Sequence, residues 1–374
     1  MDADVGVIGV GTMGSMAMWQ LAERGVSVIG FEQFGTGHDR SAVGGGSRIF
    51  RTAYLEGSEY VPLLKDARRF WQQLEAETGN RLLTLNGGLM IGHPESKPIR
   101  NVMESIETYD LDYEVLKGKE AAVRYPQHRL LPEEVMVLDK QAGFLRPEKA
   151  VVSAVQLAEA LGAKIHRYTK VKEILPDNEG VTIKTKDNDY RVGKVLLTAG
   201  PWAGKLFPNL KNKLSVRRLI MTWFAAKDIT LFEEKHFPVF ARMTQGEKIT
   251  GAPAIDGSMV RISNNTALAE IKNPDDLNRN IPIEDLAPVS QAVQNFFPDL
   301  IPYPVRANAF MDTFTPDQHP IVGKAPGVKN VVIQCGFSGH GFKMAPVMGK
   351  IASDLILEGD TEHNIKHLDP SRYL

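Results

Sequence analysis

A mixed α/β fold is predicted, and three stretches of the 374-residue chain predict it. The first is a strand, glycine turn, helix and strand in "DVGVIGVGTMGSMAMWQLAERGVSVIGFE". The second is a run of short strands between roughly residues 163 and 198. The third, near the C-terminus, is a strand, a glycine loop and a helix in "NVVIQCGFSGHGFKMAPVMGKIASDLILEG".

The opening run "DVGVIGV" is apolar, β-branched and bounded by glycine, as a buried parallel strand should be. From Thr12 to Arg24, Met13, Met16, Ala17 and Leu21 recur at helical spacing, and Gly25 stops the helix. "VSVIGFE" is a second strand ending on Glu32. This is the context a dinucleotide fingerprint requires. Gly9 permits the tight turn, Gly11 lets the backbone approach a pyrophosphate, and Gly14 lets helix and strand pack closely. The helix N-terminus, at Thr12 and Met13, offers unpaired N–H groups to phosphate. Glu32 suits the two hydroxyls of an adenosine ribose and would repel a 2′-phosphate, which disfavours NADP. The stretch alone leaves NAD and FAD both open.

In the second stretch, hairpin turns at "PDNEG" and "DND" lead to a buried strand, Lys194 to Thr198, and then to the turn Ala199-Gly200-Pro201-Trp202. In two-dinucleotide-binding-domain flavoproteins such a meander lies beside the first βαβ unit, with Val171 placed to meet adenine. In the third stretch, Gly336, Gly339 and Gly341 let the backbone lie against a flat ligand. A second helix N-terminus there would favour negative charge on a reduced flavin ring. A nicotinamide enzyme has no need of that loop.

Composition excludes other classes. With 44 Lys+Arg against 45 Asp+Glu, nothing points to a nucleic-acid or anionic-membrane partner. The single cysteine, Cys335, rules out an internal disulfide and a multi-cysteine metal site. No His or carboxylate pair has metal-ligand spacing, so no catalytic metal is expected. The apolar N-terminus follows acidic Asp2 and Asp4 rather than a basic region, no apolar run reaches membrane-span length, and "SRYL" is not the Ser-Lys-Leu address. A cytoplasmic protein is the expectation.

The sequence resembles the sarcosine oxidase family, which includes monomeric sarcosine oxidase, N-methyltryptophan oxidase and the fructosyl-amino-acid oxidases (amadoriases). The resemblance covers nearly the whole chain. It is carried by "GVGTMGSM" with Glu32, "GSRIFRTAYLEGSEYVPLL", "GFLRPEKAV", "TAGPWAG", "TPDQHPIVG" and "GFSGHGFK". It implies a Rossmann-like FAD-binding domain of the two-dinucleotide-binding-domain type, roughly 1–85, 145–215 and 315–374. Interleaved with it would be a substrate domain built on a mixed β-sheet, roughly 86–144 and 216–314.

The resemblance also implies the chemistry. An amine C–N bond is oxidised by flavin, the imine hydrolyses, and molecular oxygen or another electron acceptor takes the electrons. Arg51 matches the arginine that holds the substrate carboxylate, Lys343 the lysine that pairs with it, and Arg48 an arginine near the flavin. On spacing alone, Arg48 and Arg51 could equally form surface ion pairs. The cofactor-binding set expected is Gly9, Gly11, Thr12, Met13, Gly14, Glu32, Gln33, Arg40, Ser41, Ser47, Arg48, Val171, Ala199, Gly200, Trp202, Gly339, His340, Gly341, Phe342 and Lys343.

Three departures from the family pattern carry further expectations. Phe310 stands where sarcosine oxidases attach FAD through a cysteine, so non-covalent FAD is expected, with Cys335 a buried strand residue. Arg261 stands where these oxidases carry a lysine beside the flavin; a planar fork does not replace a compact ammonium, which keeps a dehydrogenase in play. Asp312 and Asn265 replace aromatic and histidine pocket residues, which suits a polyhydroxylated N-substituent. Fructosyl amino acids are therefore expected first, then sarcosine and other N-methyl amino acids. Asp312 could instead simply cap the turn before "TPD". A D-amino-acid or glycine oxidase is the other alternative.

Overall fold

The architecture was read from a computed structural model, which describes residues 1–255, 257–266 and 268–373. The first strand, Ala3–Ile8, lies inside an eight-stranded sheet, paired in parallel with Val28–Phe31 on one side and Asp189–Leu197 on the other. Lys164–His166 extends that sheet beyond Val28–Phe31. The meander strands Glu173–Pro176 and Val181–Lys184 run antiparallel onto the first half of Asp189–Leu197. Val331–Cys335 pairs in parallel with its second half, and Ile321–Lys324 closes that edge. One strand thus branches the sheet. The sequence expectation of Lys194 to Thr198 caught only its buried end, because the exposed half alternates with polar residues.

Four helices build the core against this sheet: Thr12–Glu23, Val61–Thr78, Pro147–Ala160 and Ala345–Leu357. Thr12–Glu23 packs on both Pro147–Ala160 and Ala345–Leu357. The crossing is close because Gly349 has no side chain: a Cβ there would lie 2.6 Å from the Met16 carbonyl carbon. Thr12–Glu23 ends one residue before the sequence expectation, with Arg24 as its C-cap and Gly25 in the left-handed region at φ +72°.

A second sheet has nine strands and is mixed, Gly88–Gly92 and Val239–Thr244 being parallel neighbours. Its long strands are Ser215–Ala226 and Leu300–Phe314, paired antiparallel. One face carries Phe224, Val260 and Ile262 and is covered by the helix Ile283–Phe296. Period-2 alternation turns the intervening residues, Trp223, Arg261 and Ser263, to the other face. A small three-stranded sheet, Arg48–Phe50, Leu83–Thr84 and Gly143–Leu145, completes the set. Among the described residues no helix is long and apolar enough to cross a membrane, and no cluster of His, Cys, Asp or Glu could hold a metal ion.

Candidate active site

The glycine turn after the first strand leaves no room for side chains at Gly9 and Gly14. Gly9 has φ +89°, and a Cβ there would sit 2.8 Å from the Thr198 carbonyl oxygen. A Cβ on Gly14 would sit 2.0 Å from the Gly9 oxygen, so this glycine fixes helix against strand. At Gly11 a Cβ would meet nothing, and Gly11 lines a cavity of about 390 Å³. No side chain caps the helix that follows, so its first N–H groups stay free for a ligand.

Glu32 is 4% exposed, one residue beyond its strand. Its Oε2 accepts from the Val10 N–H at 3.1 Å and its Oε1 from the Phe34 N–H at 2.9 Å. The same cavity is lined by Thr12, Met13, Gln33, Ser41, Val171, Ala199, Gly200 and Trp202, and also by Gly339, Gly341 and Phe342 from the C-terminal glycine loop. The Ser41 hydroxyl is buried there without a partner. Gly14, Arg40 and Ser47 do not line it. Arg40 is exposed and lies over the Phe34 ring, while Ser47 is buried and accepts from Arg261 Nε at 2.8 Å.

A second cavity, about 300 Å³, adjoins the first through Arg48, Asp312, Gly339 and Phe342. One wall holds Arg51, Glu56, His340 and Lys343. Arg51 is 5% exposed, and its Nη2 donates to both Glu56 carboxylate oxygens at 2.7 Å. Its Nε is buried without a partner. Burial alone would raise the Glu56 pKa, but Arg51 first, then His340, Lys343 and Lys248, hold it well below the usual carboxylate range. Lys343 donates to the His340 carbonyl at 2.7 Å and to the Tyr54 hydroxyl at 3.4 Å. Burial, and then the nearby Arg51 charge, push its pKa down to about 7.

His340 does not act as expected from the sequence. Its Nδ1 meets the Tyr54 hydroxyl at 2.8 Å and its Nε2 the Gln318 carbonyl at 2.9 Å, so both ring nitrogens are taken. Burial pushes its pKa down to about 4, so the ring is neutral, and it lines the second cavity rather than the first. Asp312 does not cap a turn. It lies within the strand Leu300–Phe314, and its carboxylate accepts from the Thr313 N–H at 2.7 Å and the Gly339 N–H at 3.1 Å. Burial pushes its pKa up to about 6.

The opposite wall is the open face of the nine-stranded sheet. Arg217 stands across from Asp312, Arg261 across from Trp223 and Ala252, and Lys248 across from Met243. Asn265 sits beside Lys248, accepting nothing from it but donating its own N–H to the Lys248 carbonyl at 2.7 Å and its side-chain amide to Thr250 at 3.3 Å. Arg261 is 5% exposed; burial, then Arg48, push its pKa down to about 9. Arg48 donates to backbone carbonyls of Ala42, Val43, Gly44 and Ser47, and so ties down the loop between the two cavities.

Comparison with known proteins decides the family. Residues 4–355 match the family described as FAD dependent oxidoreductase. The monomeric sarcosine oxidase of Streptomyces avermitilis is 34% identical over 375 residues, covering 99% of this chain and 97% of that protein. The chain belongs to the FAD dependent oxidoreductase family. The N-methyl-L-tryptophan oxidase of Citrobacter koseri is 30% identical over 358 residues, 95% of this chain and 94% of that one. Among solved structures, the open form of NikD, an amino acid oxidase of nikkomycin biosynthesis, superposes with a TM-score of 0.87. It is 23% identical and covers 98% of this chain and 97% of its own, a likeness of fold.

The cavity fits this oxidoreductase's FAD. A buried carboxylate, a glycine turn, free helix N–H groups and an orphaned serine hydroxyl line one connected space. No thiol stands on the strand Leu300–Phe314: Phe310 is 2% exposed and packs against Gly44. Cys335 is buried on its own strand and lines the first cavity, and burial pushes its thiol up to about 12. Phe310 at this place is consistent with the non-covalent FAD expected from the sequence.

Sequence reasoning missed Glu56, Lys248 and Arg217. Glu56 lies in a loop without periodicity. Arg217 and Lys248 sit in strands whose alternation was readable, but only strand pairing shows that they share a face.

Proposed function

We propose that this oxidoreductase oxidises the secondary amine of N-substituted α-amino acids. The observation that carries the reading is the pair of buried cations, Arg51 and Lys343, on the wall of the cavity that adjoins the FAD site. A carboxylate taken out of water without a counter-charge would cost several kcal/mol, roughly, and these two groups remove that cost. When bound, FAD supplies a two-electron acceptor for the carbon beside the nitrogen, and the resulting imine hydrolyses in water. Arg51 and Lys343 fix the carboxylate and thereby the carbon. Arg48 supplies positive charge between the two cavities, and Arg261 supplies it within the second.

Fructosyl amino acids are the finer reading, followed by sarcosine and other N-methyl amino acids. Support comes from the cavity of about 300 Å³ and its polar lining by Thr250, Ser263 and Asn265, which a bare methyl group does not need. Oxygen is the acceptor proposed, with Arg261 at the position that governs it. We further propose that the two large sheets mark the two interleaved domains expected from sequence, and that the protein works in the cytoplasm, where its single thiol stays reduced.

The test is anaerobic bleaching of the bound flavin by fructosyl-valine, fructosyl-lysine, sarcosine and N-methyl amino acids. Bleaching by any of these supports the reading; bleaching by primary D-amino acids alone overturns it. Peroxide yield against dye reduction then separates oxidase from dehydrogenase.

A further inference from the structure

The second cavity carries more positive charge than one amino-acid carboxylate can use. Among the described residues its lining holds six cations, Arg48, Arg51, Arg217, Lys248, Arg261 and Lys343, against two acids, Glu56 and Asp312. Four of the six are engaged by fixed groups. Arg51 is bound by Glu56, Arg48 by backbone carbonyls, Arg261 by Ser47 and Lys343 by the His340 carbonyl. The other two are not. Arg217 makes only a long contact to Ser215 at 3.5 Å and lies 4.7 Å over the Phe314 ring. The Lys248 ammonium has no hydrogen-bonded acid among the described residues, although it feels the Glu56 and Arg51 charges.

Both are half-buried and both project from one face of the nine-stranded sheet. That face and Arg51 and Lys343 line the same cavity, and Lys248 is near enough to act on Glu56 and Lys343 by charge. A cation drawn from water without a partner is unfavourable, and burial indeed pushes Lys248 below the usual lysine range. Neighbouring Asn265, Thr250 and Ser263 are neutral and do not quench it. The arrangement leaves two cations on the sheet face, Lys248 within the field of Glu56 and Arg217 across from Asp312, that no carboxylate holds by a hydrogen bond among the described residues.

We propose that the preferred substrate carries a second anionic group, a carboxylate or a phosphate, which Lys248 and Arg217 bind while Arg51 and Lys343 hold the α-carboxylate. This rests on the amine-oxidation reading above and narrows its substrate class to diacids. The second group sits on the amino-acid side chain or on the N-substituent.

The experiment uses flavin-loaded enzyme and isosteric pairs. N-methyl-L-glutamate is compared with N-methyl-L-glutamine, and N-methyl-O-phosphoserine with N-methylserine, each by kcat/KM for flavin reduction. The charged member of at least one pair is expected to win by about tenfold or more, and the pair with the larger advantage names the group. In Lys248→Met and Arg217→Met the charged-to-neutral ratio should fall at least about fivefold, with Lys248→Arg restoring it. A ratio of one or less in the wild type, or a ratio unmoved by both substitutions, overturns the proposal. Glutarate against butyrate, read as perturbation of the flavin spectrum, needs no turnover. If no N-substituted amino acid bleaches the flavin, the amine-oxidation reading fails. The glutarate preference then decides the diacid site by itself: tighter glutarate supports it, equal binding ends it.

Discussion

Binding of a carboxylate should draw a proton onto Lys343. In the free site burial and Arg51 hold this lysine at about 7, and two of its three donors are occupied by the His340 carbonyl and the Tyr54 hydroxyl. A ligand carboxylate about 4 Å away, at an effective dielectric near 20, attracts the ammonium by about 4 kcal/mol. At about 1.4 kcal/mol per unit, that lifts the lysine by about three units, to about 10. At pH 8 the free lysine is about one-tenth protonated and the liganded one almost fully, so about 0.9 proton is taken up per carboxylate bound. The sign follows directly. Below pH 7 both states carry the proton and affinity is flat; from 7 to about 10 affinity falls by up to about tenfold per pH unit. Calorimetric titration of the holoenzyme with propionate at pH 8, in buffers of different ionisation enthalpy, gives the proton count from the slope. A slope of zero, or an undiminished slope in Lys343→Met, would refute the electrostatic argument.

Four further outcomes are expected. Glu56→Gln frees Arg51 from two charge-assisted hydrogen bonds, a change of about 1.5–3 kcal/mol, so carboxylates should bind about tenfold tighter or better; weaker binding at normal flavin content would contradict the competition. Gly14→Ala forces a methyl to within 2.0 Å of the Gly9 oxygen, and the ratio of flavin to protein absorbance should collapse; full loading would show that the turn has slack. Acid precipitation should leave all flavin in the supernatant, and yellow pellets would mean a covalent link. Arg261→Lys should speed reoxidation of the reduced enzyme by oxygen, because a compact ammonium concentrates the charge that the guanidinium spreads. An unchanged stopped-flow rate would remove Arg261 from the oxygen reaction.

The dinucleotide half was legible because its signals are local. Gly9, Gly14 and Glu32 need only the order of residues within one strand–helix–strand unit, and the backbone geometry they require is intrinsic to glycine. The other cavity was legible only in part. Arg51 and Lys343 came from a resemblance of motifs, and they do share a wall. What Arg51 touches was hidden, since Glu56 reaches it through a loop turned by Gly57 at φ +145°, a geometry that leaves no periodic trace. For Asp312 the sequence left a turn cap open beside a place in the pocket, because "TPD" follows it. Pairing of Phe314 with Ser215 carries the strand two residues further and turns the carboxylate onto the Gly339 N–H instead. Both nitrogens of His340 were likewise committed by Tyr54 and Gln318, which are far from it in sequence.

Flavin binding and substrate choice are built on structures that tolerate change very differently. At Gly14 and Gly341 there is no spare volume: a Cβ at Gly341 would lie 2.5 Å from the Phe337 Cβ, as one at Gly14 would meet the Gly9 oxygen. Any substitution there moves backbone, and with it the cofactor. The sheet face is the opposite case. Arg217 and Lys248 hang from strands, and Asn265 is the residue after one; the pairing of these strands is main-chain, and their other face is pinned by Phe224, Val260 and Ile262 under the helix Ile283–Phe296. Exchanging one of those side chains alters charge in the cavity without a register slip, because the buried face holds the strands in place. Arg51 and Lys343 stand between the two regimes. Their backbone is tied to the three-stranded sheet and the C-terminal glycine loop, yet their charged ends reach the substrate cavity. On the reading proposed above, the α-carboxylate clamp would serve many amino acids, while the sheet face would select which of them is oxidised.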